Sequence, residues 1–209
     1  MSSRAPARTT TRRAPRSIFA GALVVTAVVG ALGYQSLATS SSTAASPLEV
    51  LGGAHRGARA EADGAVPAGT TVFDDAIPAV ANLDPALLAA LRRAAPHAAD
   101  DGVELFVESG WRSPEYQEQL LQDAVAEYGS EKEAARWVAT PNTSAHVSGN
   151  AVDIAHSDAA AWLSAHGAEY GLCQIYGNEP WHYELRPEAI DHGCPGMYAD
   201  PTHDPRMQQ

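Results

Sequence analysis

Hydrophobic residues recur at two spacings after residue 84, one typical of helices and one typical of strands. Leucines on one helical stripe follow Asp84-Pro85, an N-cap aspartate with proline in the first turn, and predict a helix that ends before Pro96. Residues 103–109 carry valine or leucine at every second position at their start, which predicts a strand. The same criteria predict further helices over 113–128, 130–138 and 158–168, and further strands over 151–155, 172–176 and 181–185.

The order of these elements predicts the fold class. Helices dominate the first half of the pattern and strands the second, and the connections between them are short. The last two strands are joined by a hairpin-like turn over 177–180. This order predicts an α+β domain with a small antiparallel sheet flanked by helices.

The N-terminal part of the chain differs from the rest in charge. Residues 1–48 hold five arginines and no acid, whereas residues 49–209 hold nine basic and 25 acidic side chains, a net charge of −16. An uncharged apolar stretch over 18–33 follows the arginines, as in an export signal. We therefore expect residues 1–38 to be a cleaved signal peptide, or a retained signal anchor, since the stretch is near the ~17–25 residues that span a bilayer. The Ser-, Thr-, Ala- and Gly-rich residues 39–70 predict a flexible linker, which leaves 71–209 as the folded domain.

Composition narrows the classes of function. The net charge of −11 argues against a nucleic-acid partner, which requires a basic surface. A hydrophobic fraction of 45% predicts a folded core. Two cysteines are too few for a four-cysteine zinc site, and in an exported protein they predict a disulfide between Cys173 and Cys194, the alternative being two buried thiols.

Two segments carry side chains that suit a metal site. His146 and Asp153 flank a Gly149-Asn150 turn, and His182 opens the last predicted strand. Two imidazoles and one carboxylate leave the fourth position of a tetrahedral zinc ion open. Glu179 lies three residues before His182, where a carboxylate can act as a general base without being a ligand. Each residue alone is also compatible with an ordinary turn, surface or core position.

The joint pattern resembles a known family. The sequence SAHVSGNAVD over 144–153, followed by EPWH over 179–182, resembles the zinc D-alanyl-D-alanine carboxypeptidases and dipeptidases of the VanY/VanX type, peptidase family M15. The sequence SGWRS over 109–113 resembles a further motif of that family and precedes the metal site, as expected. The resemblance implies a hedgehog/D,D-peptidase-like fold over 71–209, a zinc peptidase domain.

The resemblance also implies roles for individual residues. His146, Asp153 and His182 correspond to the ligands of one zinc ion, and Glu179 to the general base. Arg112 is expected to face the substrate, where a guanidinium holds a carboxylate or stabilises an oxyanion. The alternative for Arg112 is an ordinary surface ion pair.

Two further residues are weaker candidates for substrate binding. Ser144 either hydrogen-bonds to the substrate or caps the turn that follows it. Gln117 lies one turn into the helix that begins after Ser113.

These features imply a zinc D,D-carboxypeptidase that removes the terminal D-alanine from peptidoglycan stem peptides. We expect it to act outside the cytoplasm as a monomer, either secreted or attached to the membrane only by the N-terminal segment. The alternatives within the family are a D-Ala-D-Ala dipeptidase and an L-Ala-D-amino-acid endopeptidase. A non-catalytic, zinc-dependent cell-wall-binding module is a fourth interpretation, which Glu179 disfavours because a binding module needs no base.

Overall fold

The structure is a computed structural model that describes residues 60–208. The signal peptide or signal anchor predicted over 1–38 and residues 39–59 of the predicted linker lie outside the described residues. Within 60–208, no helix combines the length and the apolar character needed to cross a membrane.

The described residues form one antiparallel sheet with helices around it. The strand order is β1-β2-β4-β3, and every neighbouring pair is antiparallel, which confirms the predicted α+β class. The strands are β1 Val107–Ser109, β2 Ala151–Ile154, β3 Leu172–Gln174 and β4 His182–Leu185. The helices are α1 Pro78–Ala81, α2 Pro85–Asp100, α3 Pro114–Tyr128, α4 Glu131–Ala134, α5 Ser157–His166 and α6 Ala189–His192, with 3₁₀ turns at Gly167–Tyr170, Pro201–His203 and Pro205–Gln208.

The starts of the two long helices follow their capping residues. Asp84 accepts hydrogen bonds from the backbone N–H groups of Ala86 and Leu87 at 2.8 and 3.2 Å, and Ser113 accepts one from that of Tyr116 at 3.0 Å. These side chains replace the partners that the first turn of a helix lacks. Both helices therefore begin where the sequence predicts.

The predicted end of α2 is wrong, because the helix continues through Pro96 to Asp100. Proline removes one backbone hydrogen bond from a helix interior, at an appreciable cost in free energy. On either side of Pro96, the side chains of Ala94, Ala95 and Ala98 are buried in the core. Burial of this alanine-rich face offsets the missing hydrogen bond, which local sequence rules do not take into account.

The core lies between α2, α5 and one face of the sheet. Its largest buried members include Leu87, Leu91, Ile154, Leu163 and Tyr183. On β4, the hydroxyl of Tyr183 donates a hydrogen bond to the carbonyl of Ala160 at 2.7 Å. Because side chains alternate along a strand, anchoring Tyr183 in the core directs its neighbours His182 and Glu184 to the opposite face.

The described end of the predicted linker packs on the domain. The N–H of Ser113 donates to the carbonyl of Asp63 at 2.8 Å. Gly64 has φ of +108°, and a Cβ there would lie 2.3 Å from the carbonyl oxygen of Trp111, so only glycine fits this close approach. The boundary at residue 71 stays a prediction, and these contacts favour a domain that begins before it.

The structure contains the predicted disulfide between Cys173 and Cys194, across a sequence separation of 21 residues. Cys173 lies on β3 and is fully buried. The bond closes a loop that includes Glu179 and His182. On the chain-entropy model, closing a loop of this length raises the free energy of unfolding by about 3 kcal/mol. The disulfide therefore stabilises the segment that carries half of the candidate site.

Candidate metal centre

Two histidines and one aspartate, the three residues predicted as metal ligands, meet in a buried cluster. His146 Nε2 lies 3.2 Å from His182 Nδ1, and these atoms lie 3.4 and 3.2 Å from Asp153 Oδ1. One ligand atom from each residue falls within 4.8 Å of the others. A single ion at the centre of these atoms can contact all three side chains.

Strand pairing and a tight loop bring the three residues together. Antiparallel pairing of β2 with β4 places Asp153 directly opposite His182. His146 comes from the loop before β2, where Gly149 has φ of +74° and its carbonyl accepts a hydrogen bond from the N–H of Asp84 at 2.8 Å. A Cβ at Gly149 would lie 2.5 Å from the carbonyl oxygen of Asn82, so the loop requires glycine.

Hydrogen bonds to the outer nitrogens fix how each imidazole faces the cluster. His146 Nδ1 lies 2.8 Å from the carbonyl oxygen of Gly110, and His182 Nε2 lies 3.3 Å from Glu184 Oε1. Both partners are acceptors, so each outer nitrogen donates its N–H to that partner and the inner nitrogen is directed toward the cluster. This is the arrangement that metal-ligating histidines adopt.

Sequence reasoning missed Glu184. Its side chain is 1% exposed, among the most buried in the described residues. The available signal was its spacing of two from His182 on a predicted strand, because residues two apart share one face of a sheet.

Arg112 holds Asp153 in place. Its Nη2 donates to Asp153 Oδ2 at 2.8 Å, its Nε donates to Ser109 Oγ at 2.7 Å, and its Nη1 donates to Gln117 Oε1 at 3.1 Å. The buried Gln117 in turn donates to the carbonyl of Ala139 at 2.8 Å. Both residues therefore belong to the network around Asp153, and their contact with substrate stays a prediction.

Glu179 is a buried carboxylate with an unused oxygen. Its Oε2 lies 3.7 Å from His182 Nδ1, whereas its Oε1 is buried without a hydrogen-bond partner among the described residues. Burial raises the pKa of Glu179 to about 7, against the opposing attraction of His182. A buried carboxylate oxygen that has no hydrogen-bond partner, and that lies beside this cluster, can accept a proton from a water molecule. This is the geometry expected of a general base.

The charges of the cluster favour a cation. Burial opposes ionisation of Asp153, but His146, His182 and Arg112 outweigh it and hold the pKa of Asp153 well below its usual range. Burial likewise opposes the charged form of His182, but hydrogen bonds to Asp153 and Glu184 raise its pKa to about 9. Burial lowers the pKa of His146. Without a metal, His182 is therefore charged near pH 7 and carries a proton on Nδ1 as well as on Nε2.

The residues present fit zinc. Two imidazole nitrogens and one carboxylate oxygen are the donors that zinc accepts, and both outer N–H groups are already satisfied. These three residues would hold the ion, and a tetrahedral zinc ion would have a fourth position left for water or substrate; Glu179 lines the same cavity as the cluster.

We expect zinc binding to release about one proton near pH 7. The cation must displace the proton on Nδ1 of His182, whose pKa is about 9, whereas the lowered pKa values of His146 and Asp153 leave their ligand atoms unprotonated. Apparent zinc affinity should therefore rise with pH until pH exceeds the pKa of His182. Calorimetric titration in two buffers of different ionisation enthalpy measures the released protons, and binding without proton release would contradict the charge state described above.

The cluster opens into a cavity of about 320 Å³, and α3 lines this cavity along one side, from Gln117 to Tyr128. On α3, Leu120 is only half-buried, because this helix covers the cavity rather than the core. Ser144 lines the cavity and its hydroxyl also accepts a 3.4 Å hydrogen bond from the N–H of Val147, so it caps the turn and faces the cavity at once. Trp181 is 39% exposed on the cavity wall.

Comparison with known proteins agrees with these motifs. The model of the family described as VanY, D-alanyl-D-alanine carboxypeptidase, matches residues 80–188, which is just over half of the chain. A D-alanyl-D-alanine carboxypeptidase of Enterococcus faecalis is 36% identical over 108 residues, covering 40% of this chain and 40% of that protein. The chain thus matches less than half the length of this curated relative.

Two solved structures are similar over slightly more than half of the chain. A mutant of the vancomycin-resistance D,D-pentapeptidase VanY from the VanB-type resistance cassette, in complex with Zn(II), has a TM-score of 0.51 at 29% identity, covering 55% of this chain and 80% of that chain. VanYB in complex with D-alanine-D-alanine has a TM-score of 0.49 at 29% identity, covering 53% of this chain and 74% of that chain.

Proposed function

Since the chain belongs to the VanY family of D-alanyl-D-alanine carboxypeptidases, and is therefore a peptidase, we propose that it removes the terminal D-alanine from peptidoglycan stem peptides with one bound zinc ion. The observation that carries this proposal is the convergence of His146, Asp153 and His182 beside the unpaired carboxylate oxygen of Glu179. The zinc complex of the similar pentapeptidase supports the choice of metal.

Glu179 supplies the proton transfers of the proposed reaction. When bound, zinc polarises the scissile carbonyl and lowers the pKa of the attacking water. The free Oε1 of Glu179 takes a proton from that water and then donates it to the leaving amine of D-alanine. A pKa near 7 suits a group that must act first as a base and then as an acid.

Arg112 has donors left for the substrate. A guanidinium carries five N–H groups, and Arg112 uses one each toward Ser109, Gln117 and Asp153. The remaining N–H groups are on the two terminal nitrogens of a side chain that lines the cavity. In the proposed complex they bind the terminal carboxylate of the peptide or the oxyanion that forms at the scissile carbonyl, while Gln117 fixes the guanidinium and Ser144 is a further hydrogen-bond partner.

The length of the cavity favours a stem peptide over a free dipeptide. Lining residues on α3 run from Gln117 to Tyr128, which is about 16 Å at 1.5 Å per residue. An extended peptide covers this distance with about five residues, whereas D-Ala-D-Ala covers less than half of it. A carboxylate-binding role for Arg112 likewise favours cleavage at a chain end over endopeptidase cleavage.

An aromatic pair lies at the far end of this wall. The rings of Tyr128 and Trp137 stack with centroids 5.9 Å apart at an interplanar angle of 14°, and both side chains are partly exposed and line the cavity. We propose that they contact the part of the peptide that precedes the scissile bond.

Replacing Trp137 with alanine should raise KM for a stem pentapeptide roughly 10-fold with little change in kcat, because it removes binding that ground state and transition state share. Steady-state kinetics on the pentapeptide measures this change. Phe73→Ala is the matched control, since Phe73 is an exposed aromatic residue that is not part of the cavity wall. An unchanged KM in the Trp137 variant would show that the peptide does not reach this pair.

Product analysis separates the family alternatives. The zinc-loaded protein is incubated with a stem pentapeptide, the corresponding tetrapeptide, free D-Ala-D-Ala and crosslinked muropeptides, and the products are identified by mass spectrometry. The proposal predicts loss of one D-alanine from the pentapeptide. Cleavage of D-Ala-D-Ala alone would identify a dipeptidase, cleavage after L-alanine an endopeptidase, and tight binding without products a cell-wall-binding module.

We also propose where the protein acts. Peptidoglycan stem peptides are presented outside the cytoplasm, and the basic and apolar residues 1–38 have the pattern of an export signal. The protein then acts outside the cytoplasm, as a secreted monomer or one attached at the envelope by that segment.

A further inference from the structure

Glu184 connects the candidate metal centre to the C-terminal segment of the described residues. Its Oε1 lies 3.3 Å from His182 Nε2. Arg206 donates to both of its carboxylate oxygens, from Nη1 to Oε2 at 2.7 Å and from Nη2 to Oε1 at 3.1 Å. Arg186 reaches only Oε2, at 2.7 Å. Arg206 is therefore the residue that contacts the same oxygen as His182.

Arg206 is itself fixed by a buried carboxylate. Its Nε donates to Asp204 Oδ2 at 2.9 Å, and Asp204 is fully buried. Asp204 also accepts a hydrogen bond from the hydroxyl of Tyr176 at 3.0 Å, and the ring of Tyr176 lies 5.1 Å from that of His182. Two contacts from one short segment thus converge on the same imidazole, one through Glu184 and one through Tyr176.

The bidentate contact between Arg206 and Glu184 also fixes the orientation of His182. A guanidinium that binds both oxygens of a carboxylate fixes its plane, which a single hydrogen bond does not. With that plane fixed, Glu184 Oε1 remains directed at His182 Nε2, so the imidazole keeps its orientation and Nδ1 faces the cluster. If Arg206 were absent, Arg186 alone would leave Oε1 free to turn away.

We propose that Arg206 is a positioning residue for the metal centre, acting through Glu184 to orient His182 for zinc. This proposal rests on the zinc site of the proposed function, but not on the identity of the peptide that is cleaved. It assigns to the segment over 204–206 a role in metal affinity in addition to any role in folding.

Zinc affinity tests this role without an activity assay. Competition with a chromophoric chelator gives the zinc Kd of the full chain and of Arg206→Ala and Arg206→Lys, each shown by circular dichroism to be folded at the temperature used. We expect Arg206→Ala to weaken zinc binding by roughly 10- to 100-fold, as loss of a partner that orients a ligand does. Arg206→Lys should bind zinc more tightly than Arg206→Ala but more weakly than the unmodified protein. The lysine ammonium keeps the positive charge but lacks the two parallel N–H donors that bind both carboxylate oxygens. Arg93→Ala, an exposed arginine on α2, is the control and should bind zinc as the unmodified protein does.

A double-mutant cycle tests whether Arg206 acts through Glu184. In a Glu184→Gln background, Arg206→Ala should weaken zinc binding little further, because the connection is already broken. The visible spectrum of the cobalt-substituted protein should shift alike in Arg206→Ala and Glu184→Gln, since both release the same imidazole. Fully additive losses, or an unchanged zinc Kd in a folded Arg206→Ala protein, would overturn the proposal. Absence of zinc binding by the unmodified protein would instead contradict the zinc site of the proposed function.

Discussion

Replacing Glu179 with glutamine should abolish D-alanine release while zinc remains bound. The amide has the shape of the carboxylate but cannot take a proton from the attacking water, and the loss of general acid–base catalysis costs about 10²- to 10⁴-fold in kcat. Glu179 is not one of the three clustered residues that could hold the ion, so zinc content should be unchanged. A D-alanine release assay and metal analysis of the same sample measure the two quantities together.

The control for this variant is Glu118→Gln. Glu118 is an exposed glutamate on α3 whose carboxylate accepts a hydrogen bond from Gln122, and it is outside the lining of the cavity. We expect full activity from it. A Glu179→Gln protein that keeps full activity with zinc bound would eliminate Glu179 as the base.

Replacing His146 with alanine should remove both zinc binding and activity. One of three ligands is lost, so zinc affinity should fall by more than the roughly 10- to 100-fold that follows loss of a ligand's hydrogen-bond partner. The variant also leaves Asp153 with one fewer partner in a buried site. Zinc-dependent activity and the zinc Kd measure the effect.

Thermal unfolding gives a second readout for His146→Ala. A ligand that binds only the folded state raises the free energy of unfolding, by about 2.7 kcal/mol at a concentration of 100 times Kd. Zinc should therefore raise the Tm of the unmodified protein and of the control His192→Ala, an exposed histidine on α6, but not that of His146→Ala. Equal stabilisation of all three proteins by zinc would show that the ion binds elsewhere.

Local sequence features predicted the parts of the fold that local interactions determine. Asp84 and Ser113 cap helices through hydrogen bonds to residues two or three positions away, so the sequence alone reveals them. The end of α2 depends instead on packing of the segment around Pro96 against distant elements, which no local rule contains. The contacts between residues 63–64 and 111–113 are equally remote in sequence, so no local pattern within residues 39–70 reveals them.

The same distinction between local features and contacts remote in sequence applies to the candidate site. The motifs around His146, Asp153 and Glu179 place chemically distinctive residues at characteristic spacings, so the sequence alone predicts that these residues belong to one site. Glu184 and Arg206 lie 22 residues apart and meet only because the C-terminal segment folds back onto β4. An arginine in a polar tail has no spacing pattern that points to a buried partner, and only the folded chain reveals it.

The most direct test of the central claim is hydrolysis of a stem pentapeptide by the zinc-loaded protein in water enriched in ¹⁸O. We predict free D-alanine and a tetrapeptide that carries one ¹⁸O atom in its new carboxylate, with activity lost on chelation and restored by one equivalent of zinc. A protein that holds zinc at His146, Asp153 and His182 yet releases no D-alanine would contradict the account.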